Sequence, residues 1–391
     1  MLTQRQLFLN HVAQTSQTPL ALEIEKAEGL YLYDSSGKKY MDLISGISVS
    51  NVGHRHPAVV KAIKDQLDKY MHLMVYGEYI QAPQVQLAKE LATHLPDKLS
   101  SVYFVNSGSE AIEGAMKLAK RYTGRTEIIS FKNAYHGSTQ GSLSIMGSEE
   151  FKNAYRPLLP DTKLIRFNCE ADLVEISERT ACVIIETIQG EAGAVVPADD
   201  YLQKLKYKCE QEGVLLVVDE IQCGFGRTGK LFAFEHYGIT PDILCLAKGM
   251  GGGMPIGAFI SSNEIMYSLS HDPILGHITT FGGHPVSCAA GLATLSTLIS
   301  ERLIEKVEAK EKLFKELLVH PKIKSVNGKG LLLSVSFESY EENKRIIDHC
   351  IEKGLITDWF LFNAHSMRIA PPLTITFDEI RWACGVILSS I

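Results

Sequence analysis

The chain has 391 residues, 45% hydrophobic and 21% charged, which predicts two or perhaps three domains with ample core and an ordinary soluble globular protein. Its net charge of −6 gives no electrostatic case for nucleic acid or an anionic membrane as partner. No apolar run approaches the roughly 20 residues that span a bilayer, the first residues lack a signal-peptide pattern, and the eight cysteines are scattered without a Cys-x-x-Cys pair, the setting of a reduced, cytoplasmic enzyme.

Gly29 to Tyr40 reads as two short strands around a Ser-Gly turn. His54, Arg55 and His56 follow, but no carboxylate or cysteine lies close by in sequence, so no metal is expected there. Pro57 to Tyr70 and Gln84 to His94 have helical periodicity. From about residue 100 the pattern becomes strand-then-helix. Strands are predicted at 101–105, 127–131, 163–166, 181–186, 214–219, 242–247 and 256–261, with helices at 111–122 and 201–212 among them. Seven near-continuous apolar strands imply an α/β architecture with a mostly parallel sheet covered on both faces. After Pro285 the chain turns helical from Cys288 to Leu317, then gives two strand-like pieces, Gly330 to Phe337 and Ser366 to Ile369, which suits a smaller α+β domain. The expected division is an N-terminal segment, 1–48, that joins the small domain, a large domain at 49–284, and a small domain at 285–391.

The predicted strand ends carry the chemistry, as they do in open α/β sheets. The apolar run from Asp242 ends on Lys248, and glycines close in after it at 249, 251, 252 and 253. An ammonium at a core edge is costly unless paired or neutralised. The bland alternative is a lysine that snorkels out of a strand end. Backbone packed closely around the amine instead suits a lysine that forms an imine with a carbonyl cofactor. Asp219 closes a strand too apolar for an unpaired carboxylate, so it needs a buried cation or several donors; a protonated pyridine nitrogen would serve. Ser107, Gly108 and Ser109 precede a helix and read either as a phosphate cradle or as a plain N-cap with Glu110 in the first turn. Gly224 to Gly229 matches a dinucleotide fingerprint, and Gly224 to Lys230 nearly matches a phosphate loop. Leu231 stands where Ser or Thr should hold magnesium, and Gly238 and Pro241 interrupt the helix that either motif needs.

These motifs, in this order, make the chain resemble a class III, fold-type I pyridoxal-phosphate aminotransferase of the acetylornithine and ornithine group. The likeness runs from Gly29 to about Ile380. It rests on Ser107-Gly-Ser-Glu-Ala, Tyr135-His-Gly, Glu186-Thr-Ile-Gln-Gly-Glu-Ala-Gly, Asp219-Glu-Ile-Gln-Cys-Gly-Phe-Gly-Arg-Thr-Gly and Ala247-Lys-Gly. Thr279-Thr280-Phe-Gly-Gly-His-Pro and Arg368-Ile-Ala-Pro-Pro-Leu complete it. The resemblance implies that Lys248 binds pyridoxal 5′-phosphate and carries the proton during reaction, while Asp219 pairs with the ring nitrogen and Gln222 with the phenolic oxygen. It implies that Tyr135 stacks on the ring and that His136 belongs to the same cofactor-binding set. Ser107, Gly108 and Ser109 would hold the phosphate, joined by Thr280 from a second copy, so the protein would be an obligate homodimer with shared sites. Glu186 would sit near the reacting carbon. Arg368 would take the carboxylate next to the keto group of a 2-oxo acid, and Glu191 would pair with Arg368 while an amine donor occupies the site.

Three departures from that pattern bear on substrate. Relatives acting on ornithine, acetylornithine or γ-aminobutyrate usually carry arginine two residues after the histidine, where this chain has Ser138, and ornithine enzymes have tyrosine in place of Ile47. Serine cannot reproduce a bidentate arginine fork. Thr187 replaces the usual proline after Glu186, a change expected only to alter a turn. The resulting expectation is a ping-pong aminotransferase moving a terminal amine from an acetylornithine-like, ornithine-like or other ω-amine donor to 2-oxoglutarate. Alternatives are a relative using diamines or ω-amino acids with pyruvate, an aminomutase or decarboxylase, and, outside the family, a catalytically silent pyridoxal-phosphate- or nucleotide-binding protein.

Overall fold

The computed structural model describes residues 2–198 and 200–391. Near the N-terminus lie β1 (Ile24–Glu28), β2 (Tyr31–Asp34) and β3 (Lys39–Asp42). The central strands are β4 (Ser101–Val105), β5 (Glu127–Phe131), β6 (Thr162–Ile165), β7 (Thr180–Glu186), β8 (Leu215–Asp219), β9 (Ile243–Leu246) and β10 (Gly257–Ser261). They form one sheet in the order β4-β10-β9-β8-β7-β5-β6. All neighbours in it are parallel except β10, which runs antiparallel to both β4 and β9. Because β10 reverses twice, β4 again points the same way as β9, and the C-terminal ends of β4, β5, β7, β8 and β9 share one edge.

The apolar runs become strands buried on both faces because successive side chains alternate across the sheet. Val183 and Ile185, Leu216 and Val218, Leu244 and Leu246 enter one core. Cys182 and Ile184, Leu215 and Val217, Ile243 and Cys245 enter the other. The helix Gly108–Thr123 covers this second face with Ala111, Ile112, Ala115 and Met116. Ser107 caps its start by accepting from the Glu110 amide at 3.2 Å, and Gly124 ends it at φ 70°.

Beyond Pro285 the structure is more divided than the sequence pattern indicated. The helical stretch is two helices, Pro285–Ser300 and Val307–Leu317, separated by a turn and a short 3-10 segment. The first packs on the helices Pro57–Leu67 and Ala82–Thr93. Five short strands follow: β11 (Ser325–Lys329), β12 (Leu332–Ser336), β13 (Leu355–Ile356), β14 (Trp359–Phe360) and β15 (Asn363–Ile369). Four of them form a sheet ordered β11-β12-β15-β14, while β13 runs parallel to β3 and joins β1-β2-β3. The two ends of the chain therefore share a sheet, and Tyr31 donates to Glu379 at 2.7 Å across them.

His54 and His56 each find a carboxylate distant in sequence, Asp42 at 2.8 Å and Glu301 at 3.1 Å. Among the described residues there is no His/Cys/Asp/Glu group placed to hold a metal, and no helix is long and apolar enough to cross a membrane.

At the end of the sheet opposite the site, Asp242 fastens β9 to β8. Its carboxylate accepts from the Leu216 amide at 2.8 Å and from Lys206 at 3.0 Å, and pairs with Lys98. Burial works to raise its pKa, but Lys206, Lys98 and the amide prevail and hold it below the ordinary aspartate range. A depressed carboxylate contributes stability that is full above its unfolded pKa and is lost as pH falls through the folded value. Asp242→Asn should therefore cost about 1.5–3 kcal/mol at pH 7, the scale of hydrogen bonds to a charged group. Denaturant titrations at decreasing pH should show the gap from the parent closing below pH ~4; a gap independent of pH would contradict this account.

Candidate active site

The shared strand edge opens into a cavity of about 430 Å³ whose lining includes Ser107, Tyr135, Glu186, Asp219, Gln222 and Lys248. Each sits just at or after a strand end: Ser107 after β4, Tyr135 after β5, Glu186 and Asp219 as the last residues of β7 and β8, Lys248 two residues after β9. Glu186 and Asp219 are register partners, so their carboxyls are neighbours across two parallel strands. The sheet brings together positions up to 141 residues apart in sequence, from Ser107 to Lys248.

Lys248 lies in the left-handed region at φ 44°, within a turn that departs from the sheet. Burial holds its ammonium below the ordinary lysine pKa, with the nearby Glu191 and Asp219 carboxylates partly offsetting that effect. Its amine is thus poised for exchange of a proton or for attack on a carbonyl. Asn51 supports the backbone behind it. The Asn51 amide donates to Phe225 O at 2.8 Å, and a side chain on Gly249 would collide with it at 2.6 Å.

Asp219 is 3% exposed and satisfied on both oxygens. Oδ1 accepts from the Ile221 amide at 2.9 Å, and Oδ2 lies 2.7 Å from Nδ1 of the buried His136. His136 thereby orients the carboxylate, a contact whose only sequence signal was its place in the Tyr135-His-Gly motif. Glu186 accepts from the amides of Tyr135 and Gly190, both at 3.1 Å. Burial and then the neighbouring Asp219 charge raise its pKa well above the glutamate range. Glu220 faces the other way. It is 1% exposed and accepts from Thr187 at 2.6 Å and from the amides of Ala233 and Phe234, both at 2.7 Å, and burial pushes its pKa up to about 7. Thr187 consequently does more than alter a turn: its hydroxyl satisfies a buried carboxyl, which proline could not do.

Gln222 is nearly buried, lines the cavity, and has no partner for Nε2. Gly190 lies so close beneath it that an added Cβ would sit 1.8 Å from Gln222 Oε1. At the helix start, Ser109 Oγ accepts from the Ser138 amide at 3.3 Å, and Gly108 and Ser109 have first-turn amides that an α-helix leaves free. Gly137, at φ 127°, lets its backbone pass over Ser109, where a Cβ would fall 2.1 Å from the hydroxyl. This N-terminus is both capped by Ser107 and open to an anion.

Arg368, on β15, is 2% exposed. Its two terminal nitrogens meet the two oxygens of Glu191 at 2.9 and 3.0 Å, a bidentate fork, and its Nε meets Asp358 at 2.9 Å. Glu191 also accepts from the Leu361 amide at 3.1 Å. Burial opposes its ionisation, but Arg368 holds its pKa below the ordinary value. Asp358, without a fork of its own, is pushed up to about 6 by burial despite Arg368. A lone Asp358 before an aromatic run carries no sequence signal for a guanidinium ten residues later.

Three expected residues lie at the margin. Ser138 is exposed and its hydroxyl is 3.2 Å from that of Tyr135. Ile47 is half-buried in a turn where Ser45, Gly46, Ile47 and Ser48 all have positive φ, between 48° and 64°. A left-handed turn with a β-branched residue is strained. Asp42 holds it by accepting from the Ile44 and Ser45 amides at 2.7 and 2.9 Å. Thr280 is exposed and is not among the residues lining this chain's own cavity.

The family model for class-III aminotransferases matches residues 12–391. An acetylornithine aminotransferase of Methanopyrus kandleri is 38% identical over 385 residues, 97% of this chain and 96% of the relative. That of Methanocaldococcus jannaschii is 40% identical over 378 residues, 92% and 91% of the two. Among solved structures, an ornithine aminotransferase from Toxoplasma gondii, with pyridoxal phosphate partly occupying its active site, superposes with a TM-score of 0.91 at 30% identity, covering 98% of this chain and 92% of that one. The cavity fits that cofactor on observations of its own: an orphaned buried amide at Gln222, and backbone at Gly137 and Gly190 that admits no side chain. Gly137→Ala should displace Ser109 and weaken retention of pyridoxal phosphate at least about tenfold, the effect of about 1.4 kcal/mol. Equilibrium dialysis of the cofactor measures this, and unchanged affinity would refute the cradle.

Proposed function

The chain belongs to the class-III aminotransferases, pyridoxal-phosphate-dependent transaminases, and from that premise we propose that it moves a terminal amino group from an ω-amine donor to 2-oxoglutarate in two alternating half-reactions. The observation that carries this reading is the closed Arg368–Glu191 fork beside a donor side that offers Ser138 in place of an arginine. A guanidinium already masked by an internal carboxylate suits a donor lacking a carboxylate beside its reacting amine. Release of Glu191 then presents the fork to the carboxylate of a 2-oxo acid. The curated relatives named for acetylornithine support a donor of that type.

Bound pyridoxal phosphate supplies a carbonyl that exchanges with the amine and an electron-withdrawing ring that acidifies the reacting carbon. The residues that would hold it are Lys248 at the carbonyl, Asp219 at the ring nitrogen and Gln222 at the phenolic oxygen, with Tyr135 against the ring face and Ser107, Gly108 and Ser109 at the phosphate. The His136 and Ile221 contacts keep Asp219 fixed while it holds a positive charge in place. Lys248 Nζ, kept below its ordinary pKa by burial, would take the proton from the substrate's reacting carbon and hold it for return later in the same half-reaction. Glu186, whose pKa is raised by burial and by the Asp219 charge, is held beside Asp219 by the Tyr135 and Gly190 amides on its two oxygens.

The working unit would be a homodimer, with Thr280 of the partner subunit completing the phosphate site. Supporting this, two segments carry exposed apolar side chains, with Met71, Tyr79 and Ile80 on one and Ile274, Ile278 and Phe281 on the other. The segments meet where His72 packs on Phe281 at 4.7 Å. Exposed apolar side chains that meet in this way suit a contact with another protein surface. Thr280→Ala should weaken phosphate retention in the dimer, and mixing it with Lys248→Ala protein should give mixed dimers with unlike sites. Dissociated monomers that keep full activity would overturn the shared site.

The donor assignment is tested by measuring each half-reaction alone, through the absorbance change of the bound cofactor. Arg368→Ala should damage the 2-oxoglutarate half far more than the donor half. Several terminal amines, acetylornithine among them, should react at comparable rates, because no arginine grips a far carboxylate. Ser138→Arg should favour carboxylate-bearing donors over simple diamines by roughly 10–150-fold, corresponding to about 1.5–3 kcal/mol for a hydrogen bond to a charged group. If the parent enzyme already prefers a carboxylate-bearing donor by more than about a hundredfold, another residue supplies the grip.

A further inference from the structure

Arg368 faces two carboxylates, and they meet different edges of it. Glu191 occupies the end of the guanidinium, one oxygen on each terminal nitrogen, while Asp358 takes Nε from the side at 2.9 Å. A carboxylate ligand entering the end-on fork must displace Glu191 and need not disturb Asp358. Without Glu191, the contacts that remain are Asp358, a long bond to Trp359 O at 3.4 Å and the face of Phe360, whose centroid lies 4.5 Å from the guanidinium carbon. The aromatic face fixes the plane of the guanidinium but leaves it able to turn within that plane. The directed bond to Asp358 removes that freedom.

The backbone keeps Asp358 in step with Arg368. The Arg368 amide donates to Asp358 O at 2.9 Å, and Thr357 donates to Arg368 O at 2.6 Å. The strand itself is registered on β12, with Arg368 opposite Ser334. Asp358 therefore moves with the arginine, whereas Glu191 sits on a separate loop after β7.

We propose that Asp358 is a positioning residue for the acceptor half-reaction: it is the fixed partner of Arg368, holding the guanidinium fork in place when Glu191 gives way to the carboxylate of the 2-oxo acid. This rests on the reading of Arg368 as the acceptor's anchor. Two effects of Asp358 on acceptor binding have opposite sign. Its hydrogen bond preorganises the fork, and its charge repels an incoming carboxylate. Asp358→Asn separates them, since an amide oxygen still accepts from Nε but carries no charge.

The experiment measures KM and kcat for 2-oxoglutarate and for pyruvate, which share the carboxylate beside the keto group, in Asp358→Ala, Asp358→Asn and Arg368→Ala, alongside the donor half-reaction. Asp358→Ala should raise the acceptor KM roughly 10–150-fold, the range for a lost hydrogen bond to a charged group, with smaller changes in kcat and in the donor half. Asp358→Asn should recover most of that loss. Asp358→Ser, too short to reach Nε yet polar, gives the same reading if Asp358→Ala does not fold. An acceptor KM that falls or stays unchanged in the Ala and Ser variants overturns the proposal, as does an Asn variant no better than Ala. If Arg368→Ala itself leaves the acceptor KM unchanged, the fault lies with the assignment of Arg368.

Discussion

An amine kept at the end of an apolar strand is the constraint on which this structure depends. Lys248 follows β9 into a turn surrounded by protein, where its charge is disfavoured. The carboxylates near enough to matter, Glu186, Glu191 and Asp219, differ in what else they touch. Glu191 has a guanidinium fork and keeps a lowered pKa, while Glu186 has two backbone amides and has a raised one. Asp219 is held between an imidazole and an amide. The same burial thus produces a depressed lysine and an elevated glutamic acid within one cavity, and spreading of pKa values in this way is what proton-transfer sites require.

The sheet makes that arrangement rigid. Since Glu186 and Asp219 are register partners on parallel strands, neither can shift without breaking the ladder that buries Val183 to Ile185 and Leu216 to Val218. The antiparallel strand β10 performs the complementary task. It runs back between β9 and β4, so that Ser107 and Lys248 emerge at the same edge. The helix start at Ser107 and the Lys248 amine are therefore placed by backbone hydrogen bonds of the sheet, and side-chain packing only refines their distance.

The central strands were legible from their apolar runs, most plainly where burial is two-sided, as in β7, β8 and β9. The seven central ones fall within about one residue of their apolar runs, because a continuous run such as Leu215 to Val218 admits no amphipathic alternative. Short strands with mixed exposure, such as β1, β11 and β14, were not legible, because their pairing is decided by distant partners. Residues at strand ends could be named from type and position, as with Lys248 and Asp219. His136 as the partner of Asp219, Thr187 as the donor to Glu220, and Asp358 on Arg368 could not, since each is a contact between segments that only the fold brings together. The left-handed turn at Ser45–Ser48 had no local signal either: only Gly46 among its four residues favours positive φ. It is maintained by Asp42 and by Arg227, which reaches Ser45 Oγ at 3.3 Å.

This division between strand ends and loops is also a division of labour. The groups that would hold the cofactor gather at or just beyond the strand ends of one sheet, whereas those proposed to face a substrate lie farther out, on the strained turn carrying Ile47, at Ser138, and at Glu191 and Arg368 beside the hairpin from Asp358 to Asn363. The hairpin wraps the Glu191 loop, with the Leu361 amide on the carboxylate, the Phe362 amide on Glu191 O at 3.0 Å, and the Asn363 side-chain Nδ2 donating to Ala192 O at 3.1 Å. Glu191 can leave Arg368 only by breaking the Leu361 contact as well. The hairpin and the Glu191 loop are therefore one mechanical unit, and under the function proposed above a change in the hairpin's length or its aromatic residues would alter acceptor exchange without touching the strand ends. Loops can thus be exchanged for specificity while the sheet keeps the proton chemistry intact.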